Sequence, residues 1–137
     1  MEFWGIEPNP KVETLRKAVA LGLEEKVDLI LAVGGGSVLD GTKLIAAGIA
    51  MPETDPWAIV KTGNAAKQIP FASVMTLPAT GSEMNNGAVI SSLETTEKFA
   101  FRGAYPEFSI LDPEATYSLP AKQIANGLAD IVVHCFE

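Results

Sequence analysis

The chain contains only one cysteine, Cys135, and one histidine, His134, among its 137 residues. A single cysteine excludes an intramolecular disulfide and is typical of reducing compartments, so we expect a cytoplasmic protein. Because Cys135 lies among Val132, Val133 and Phe136, we expect a buried, unreactive thiol.

Basic residues are also scarce, with 10 Lys and Arg against 17 Asp and Glu, for a net charge of −7. This balance argues against nucleic acid or an anionic membrane as a partner. No apolar run approaches the roughly 20 residues that a membrane-spanning helix needs, and the first residues do not predict a secretory signal. With 47% hydrophobic residues, the chain has enough apolar material for a globular domain with its own core.

The first half of the chain alternates helical and strand-like segments. "NPKVETLRKAVALGLEEK" predicts a helix with Asn9 as its N-cap. "VDLILAVGGG" is a short apolar run that ends in glycines, which is typical of a strand buried on both faces of a parallel sheet. "SVLDGTKLIAAGIA" then predicts a second helix, with Ser37 as its cap. This alternation predicts an α/β fold.

The second half continues with shorter segments. "IPFASVMTLPATGSE" predicts a buried strand that ends at Pro78, followed by a short helix capped by Thr80 or Ser82. Two β-prone runs flank "ETTE" and predict a hairpin. "FSILD" predicts one more strand, ended by Pro113, and a last helix is expected to begin near Ser118.

The last helix has a broad apolar surface, and a helix of this kind is usually buried against another element. Neither end of the chain reads as the boundary of a domain, so we expect the sequence to be the middle piece of a larger protein. The exposed surface also predicts self-association or aggregation. Its apolar residues are Leu128, Ile131, Val132, Cys135 and Phe136.

The segment "GGGSVLDG", between a strand and a helix, is a candidate binding turn. Glycines permit positive φ and close approach of a ligand, and the N–H groups at a helix start favour an anion such as a pyrophosphate. The segment matches neither G-x-G-x-x-G nor a Walker A loop, and a tight turn without a ligand is the alternative. Asp40, one turn into the helix, is either a ligand acceptor or a solvated carboxylate.

A second candidate is "TLPATGSE", which places the hydroxyls of Thr76, Thr80 and Ser82 at the end of a strand. Ligands of open α/β sheets bind outside the carboxyl ends of the strands, so a nucleotide could cross the sheet edge here. Helix capping alone is the alternative explanation for Thr80 and Ser82.

Asp130 and His134 are spaced i, i+4, so both side chains project from one face of the last helix. A carboxylate and an imidazole on one face can share a metal ion. They can also form an ordinary hydrogen-bonded pair, which the spacing alone favours.

Four motifs in order, "GGGSVLDGTKLIAA", "TLPATGSE", "LDPEATYSLP" and "NGLADIVVH", closely resemble the iron-containing (group III) alcohol dehydrogenase family. "GIEPNP" and "DPW" bring the chain nearer to the branch of NADPH-dependent aldehyde reductases and butanol dehydrogenases. The resemblance implies a partial Rossmann-like, parallel-sheet nucleotide-binding domain over residues 1–115. It implies that residues 116–137 begin an all-helical metal-binding domain.

The resemblance also implies site residues. Gly35, Gly36 and Ser37 would contact the cofactor pyrophosphate, and Asp40 would lie towards the nicotinamide. Further cofactor contacts would be Thr76, Thr80, Ser82, Lys98 and Leu119. A divalent metal, Fe²⁺ or Zn²⁺, would be held by Asp130 and His134, whereas the family's two remaining histidines have no counterpart in this sequence. NADP(H) is expected in preference to NAD(H).

The implied reaction is hydride transfer between the nicotinamide and a small aldehyde or primary alcohol, in a homo-oligomer. With two of four metal ligands, these 137 residues alone are expected to be inactive. One alternative is a non-catalytic nucleotide-binding remnant or assembly module. Another is an enzyme resembling dehydroquinate synthase or glycerol-1-phosphate dehydrogenase.

Overall fold

The computed structural model describes residues 1–136, which form four α-helices and five β-strands. In chain order these are α1 (Val12–Glu24), β1 (Ile30–Gly35), α2 (Gly36–Ala50), α3 (Pro56–Lys61), β2 (Phe71–Leu77), β3 (Gly87–Ser91), β4 (Lys98–Arg102), β5 (Ser109–Ile110) and α4 (Ala121–His134). Two short 3₁₀ helices lie at Ser82–Met84 and Pro113–Thr116. The predicted alternation of helices and strands is confirmed.

The three strands β1, β2 and β5 form a parallel sheet in the order β1–β2–β5. β2 pairs along the whole of β1, from Ile30 opposite Phe71 to Gly35 opposite Leu77. It ends directly before Pro78, as predicted, because proline has no N–H to continue a ladder. β5 is shorter than "FSILD" suggests, with two residues paired to β2.

The two faces of the sheet have different environments. On one face, Ala32 and Met75 pack with Leu39 of α2 in a small core cluster. On the other, Leu31 and Val33 remain 56% and 58% exposed. The prediction that β1 is buried on both faces is therefore wrong for residues 1–136. Successive side chains of a strand point to opposite faces, and α2 covers only the face that carries Ala32.

The strands β3 and β4 form the predicted antiparallel hairpin around "ETTE", with Ala88 opposite Phe101. Their inward side chains join the main core, which also contains residues of α1, α2 and α3. Glu13 of α1 accepts hydrogen bonds from the backbone N–H groups of Leu93 and Glu94 in the hairpin turn. Burial alone would raise the pKa of Glu13, but these and other hydrogen bonds outweigh it and lower that pKa.

Three of the predicted helix caps are wrong. The N-cap of α1 is Lys11, and Asn9 has a φ of 54° with its Oδ1 accepting a hydrogen bond from Lys98 Nζ at 2.7 Å. The N-cap of α2 is Gly35, so Ser37 lies inside the helix and makes no capping bond. The short helix at Ser82–Met84 is capped by Gly81 and not by Thr80 or Ser82; Gly81 has a φ of 66°, a left-handed conformation that glycine adopts without strain.

The helix α4 begins at Ala121, after Pro120, and none of its residues is buried. Ile131 and Phe136 are among the most exposed apolar residues of the chain. Cys135 is exposed as well, so the prediction of a buried thiol is wrong, because no other element within residues 1–136 covers this surface. No helix in the described part of the chain has the length and apolarity needed to cross a membrane.

Candidate functional site

A groove of about 620 Å³ lies where α2 begins, between the segment after β2 and the β3–β4 hairpin. Its volume is within the range of small-molecule and cofactor sites. Six of the nine predicted cofactor residues line it: Gly36, Ser37, Asp40, Thr80, Ser82 and Lys98. The two motifs and the hairpin that carry these residues, far apart in sequence, therefore meet at one place.

The first turn of α2 forms one wall of the groove. The first N–H groups of any α-helix lack intrahelical acceptors, and at α2 no side chain caps them. Gly36 and Ser37 are the first two residues of this 15-residue helix, and both line the groove. Unpaired N–H groups and the positive end of the helix dipole favour an anion at this wall.

Gly36 is required by packing. A Cβ at this position would overlap Thr80 Oγ1, so only glycine lets the start of α2 approach the "TLPATGSE" loop this closely. The expected use of positive φ in the glycine turn is wrong, because no residue of Gly34–Gly36 has a left-handed backbone. Close approach, the other expected use of glycine, is what the structure shows, and here the approaching group is Thr80 of the chain itself.

Asp40 connects α2 to both other walls. Its Oδ1 accepts a hydrogen bond from Ser82 Oγ at 2.8 Å, and its Oδ2 accepts one from Val89 N–H at 2.9 Å. The hydroxyls of Ser82 and Thr80 are 2.8 Å apart and share a further hydrogen bond. Each oxygen of Asp40 thus has a protein donor, and this network fixes the shape of the groove.

Lys98 supplies a positive charge on the hairpin wall, in a chain whose net charge is −7. Its Nζ donates to Asn9 Oδ1, and Asn9 lines the groove too. The sequence predicts Asn9 only as a helix cap and does not reveal this role. A lysine and an asparagine 89 residues apart give no local pattern that would have revealed the pair.

Sequence reasoning also missed Asn85 and Lys43. Asn85 lines the groove, donating to Gly81 O and accepting from Gly87 N–H. Lys43 is completely buried behind the groove wall. The available signal was a lysine three residues after Asp40 on an otherwise apolar helix.

Three predicted cofactor residues do not line the groove. Gly35 pairs with Leu77 at the end of β1, next to the groove residue Gly36. Thr76 is half-buried within β2, and the backbone N–H of Leu119 donates to Thr116 O near the start of α4.

The predicted metal ligands lie together on α4. Asp130 Oδ1 and His134 Nε2 are 3.9 Å apart, on side chains that are 55% and 65% exposed. Metal–ligand bonds near 2.1 Å allow two donors this far apart to contact one ion, so the pair fits as part of a metal site. Within residues 1–136 no group of three or more His, Cys, Asp or Glu residues could hold a metal.

Comparison with known proteins places the chain in one family. Residues 1–113 match the family model described as iron-containing alcohol dehydrogenase. The chain is 56% identical to the NADPH-dependent aldehyde reductase YqhD of Escherichia coli (strain K12), over 100% of this chain and 37% of that protein. It is 47% identical to the NADH-dependent butanol dehydrogenase A of Clostridium acetobutylicum, over 99% of this chain and 36% of that protein.

Solved structures agree with this placement. The structure of E. coli K-12 YqhD matches with a TM-score of 0.90 at 57% identity, over 98% of this chain and 36% of that one. NADH-dependent butanol dehydrogenase A from Thermotoga maritima matches with a TM-score of 0.88 at 40% identity, over 100% of this chain and 35% of that one. The predicted Rossmann-like α/β fold is confirmed, and the chain spans a little over a third of the length of these relatives.

Proposed function

Because the chain belongs to the iron-containing alcohol dehydrogenase family, we propose that the protein carrying it transfers hydride between a nicotinamide dinucleotide and a small aldehyde or primary alcohol. The observation that carries this proposal is the uncapped start of α2, which opens onto a groove lined by Ser, Thr, Asp and Lys side chains. That combination suits a cofactor with an anionic pyrophosphate and several hydroxyl groups.

In this proposal, Gly36 and Ser37 hold the pyrophosphate through their backbone N–H groups, and Gly35 shapes the turn before them. Lys98 adds a positive charge from the opposite wall. Asp40 and the hydroxyls of Thr80 and Ser82 form the polar network towards the nicotinamide. Thr76 and Leu119, outside the groove, are proposed as outer contacts of the same cofactor.

NADP(H) is the proposed cofactor in preference to NAD(H). The relative that is 56% identical is named as NADPH-dependent, which supports this choice. The relative that is 47% identical is named as NADH-dependent, so a direct comparison of the two cofactors is part of the test.

Asp130 and His134 are proposed as ligands of a divalent metal, Fe²⁺ or Zn²⁺. Such an ion supplies Lewis acidity, which polarises a carbonyl oxygen and stabilises the developing alkoxide. The two side chains contribute one carboxylate oxygen and one imidazole nitrogen from the same helix face. We further propose that residues 116–137 begin a helical metal-binding domain, that residues 1–115 belong to the nucleotide-binding domain, and that the whole protein is a cytoplasmic homo-oligomer.

A second candidate function is nucleotide binding without catalysis. It is favoured by one observation, that residues 1–136 offer a formed groove but only a two-donor metal pair. The comparisons, which name alcohol dehydrogenases and aldehyde reductases, support hydride transfer over dehydroquinate synthase chemistry.

Calorimetric titration with NADPH and NADH, together with an assay of NADPH-dependent butanal reduction, tests the proposal. We expect the 137-residue chain to bind NADPH more tightly than NADH without turnover, and the whole protein to reduce butanal when supplied with Fe²⁺ or Zn²⁺. If the 137-residue chain and the whole protein both bind NADPH and neither reduces butanal, the non-catalytic alternative is supported. Absence of binding by the whole protein would contradict both.

Two exposed lysines provide a matched pair of variants for the titration. Lys98→Ala should weaken NADPH binding about three- to tenfold, since it removes a cation from the groove wall. Lys67→Ala removes the same charge from a position that does not line the groove and should leave the Kd unchanged. If both variants raise the Kd for NADPH equally, the net charge of the protein, and not the position of Lys98, determines the affinity.

A further inference from the structure

Lys43 has an unusual environment for a lysine, since its side chain is 0% exposed. It lies on α2, one turn after Asp40. Its ammonium donates to Ser82 O at 2.9 Å, to Asn85 Oδ1 at 3.1 Å and to Gly87 O at 2.7 Å. A lysine ammonium has three N–H donors, and here each one has an acceptor.

All three acceptors belong to one short segment, residues 82–87, which runs from the 3₁₀ helix after β2 to the start of β3. Ser82, Asn85 and Gly87 themselves line the groove, whereas Lys43 does not. The lysine therefore contacts the groove wall from behind. Asp40 holds Ser82 and β3 from the groove side of the same helix.

Burial lowers the pKa of the Lys43 ammonium below its usual value, and the carboxylates of Asp40 and Glu83 partly oppose that shift. A long apolar side chain would fill the same volume without this desolvation cost. It would leave the carbonyl oxygens of Ser82 and Gly87 without their lysine donor, and Asn85 Oδ1 with the Gly87 N–H alone. The cation is thus matched to this segment specifically.

We infer that Lys43 is a positioning residue, which fixes residues 82–87 against α2 and so sets the places of Ser82 and Asn85 in the groove wall. The inference deepens the proposed function where it concerns cofactor binding. The structural part, that one buried ammonium determines the order of this segment, stands independently of what the groove binds.

Hydrogen–deuterium exchange of the whole protein without nucleotide tests the structural part. In Lys43→Met, the amides of residues 82–89 should exchange about tenfold faster, while those of β1 and β2 should change little. Val19→Ala is the matched control, since Val19 is a buried residue of the main core that does not line the groove. It should lower global stability without selective exchange in residues 82–89. Uniform exchange changes in both variants, or none in Lys43→Met, would overturn the inference.

The binding part is tested by the Kd for NADPH, measured well below the melting temperature of each variant. Lys43→Met should raise this Kd about tenfold, Lys43→Arg should recover part of the loss because it keeps a cationic donor, and Val19→Ala should have no effect. If Lys43→Met does not fold, Lys43→Arg and Lys43→Gln are compared instead. The Kd for NADPH must then be larger for Lys43→Gln, which lacks the cation. Unchanged Kd values with faster exchange would overturn the positioning role in binding. If the unmodified protein does not bind NADPH, the proposed function fails, whereas the exchange result still decides the structural part.

Discussion

The groove and the metal pair are built in different ways. Groove residues come from four separate parts of the chain, and their hydrogen bonds join residues 42 and 49 positions apart. Asp130 and His134 are four positions apart on one exposed helix, so their spacing follows from helix geometry. The groove is therefore held in place by tertiary structure within residues 1–136, whereas the metal pair presents two ligands that need further donors. Cofactor binding and metal binding should be separable by mutation.

Among the mutations that should separate metal binding from cofactor binding, the largest effect is expected at the metal pair. In the whole protein, His134→Ala should lower butanal turnover about 100-fold or more and reduce bound metal, because one protein ligand is lost. The Kd for NADPH should change less than about twofold, since His134 does not line the groove. Metal content by elemental analysis, turnover and calorimetry measure the three quantities. A large rise in Kd with unchanged metal content would show that the two sites are not separable.

The complementary change is Gly36→Ala in the groove. The added Cβ would overlap Thr80 Oγ1, so either α2 or the loop must shift, with a loss of about 1–3 kcal/mol in the free energy of unfolding. The Kd for NADPH should rise at least about tenfold, because the shift moves the N–H groups at the start of α2. Urea unfolding and calorimetry measure the two effects.

Gly127→Ala is the control for this prediction. Within residues 1–136, no atom other than the neighbouring backbone of α4 lies within 4 Å of the position of its added Cβ, and Gly127 is in the middle of that helix. Alanine should therefore stabilise the helix by about 0.5–1 kcal/mol. A similar weakening of NADPH binding by Gly36→Ala and Gly127→Ala would contradict the assignment of the groove.

The smallest effect is expected at the periphery of the packed region, where Asp55 caps α3 through Trp57 N–H and pairs with Arg16 at 2.8 and 3.0 Å. The hydrogen bond from Arg16 lowers the pKa of Asp55, so the ion pair stabilises the fold above the ordinary carboxyl pKa. This contribution is lost as the pH falls through the lowered value. Asp55→Asn keeps a capping oxygen and should cost about 0.5–1 kcal/mol at pH 7, and less in acid.

Urea unfolding as a function of pH checks this prediction, with Asp112→Asn as its control. Asp112 caps the 3₁₀ helix at Pro113–Thr116 through Glu114 N–H and has no arginine partner within the described residues. Neither variant should alter the Kd for NADPH. A penalty for Asp55→Asn that is independent of pH would mean that the charge does not stabilise the fold.

The sequence predicts the fold well where one segment determines its own structure. The apolar runs of β1 and β2 and the turn residues around "ETTE" each yield the observed element. The Gly-, Ser- and Thr-rich motifs also predict five residues that meet in the groove, and the sixth, Lys98, follows only from the family resemblance. These predictions succeed because periodicity and strand-end chemistry are local properties.

The predictions that fail depend on partners distant in sequence. Asn9 bonds to Lys98 rather than capping α1, and Lys43 finds its acceptors 39 to 44 residues further along the chain. The exposure of Cys135 and of one face of β1 depends on which elements pack there. Two of the three acceptors of Lys43 are main-chain carbonyl groups, which no sequence motif marks.

A crystal structure of the whole protein with NADP⁺ and Zn²⁺ tests the assignment of the groove and the metal pair most directly. We predict that the pyrophosphate oxygens lie within hydrogen-bond distance of the Gly36 and Ser37 N–H groups, and that Asp130 and His134 both bind the metal. A cofactor bound away from the groove, with the first turn of α2 free of any anion, would contradict the central claim.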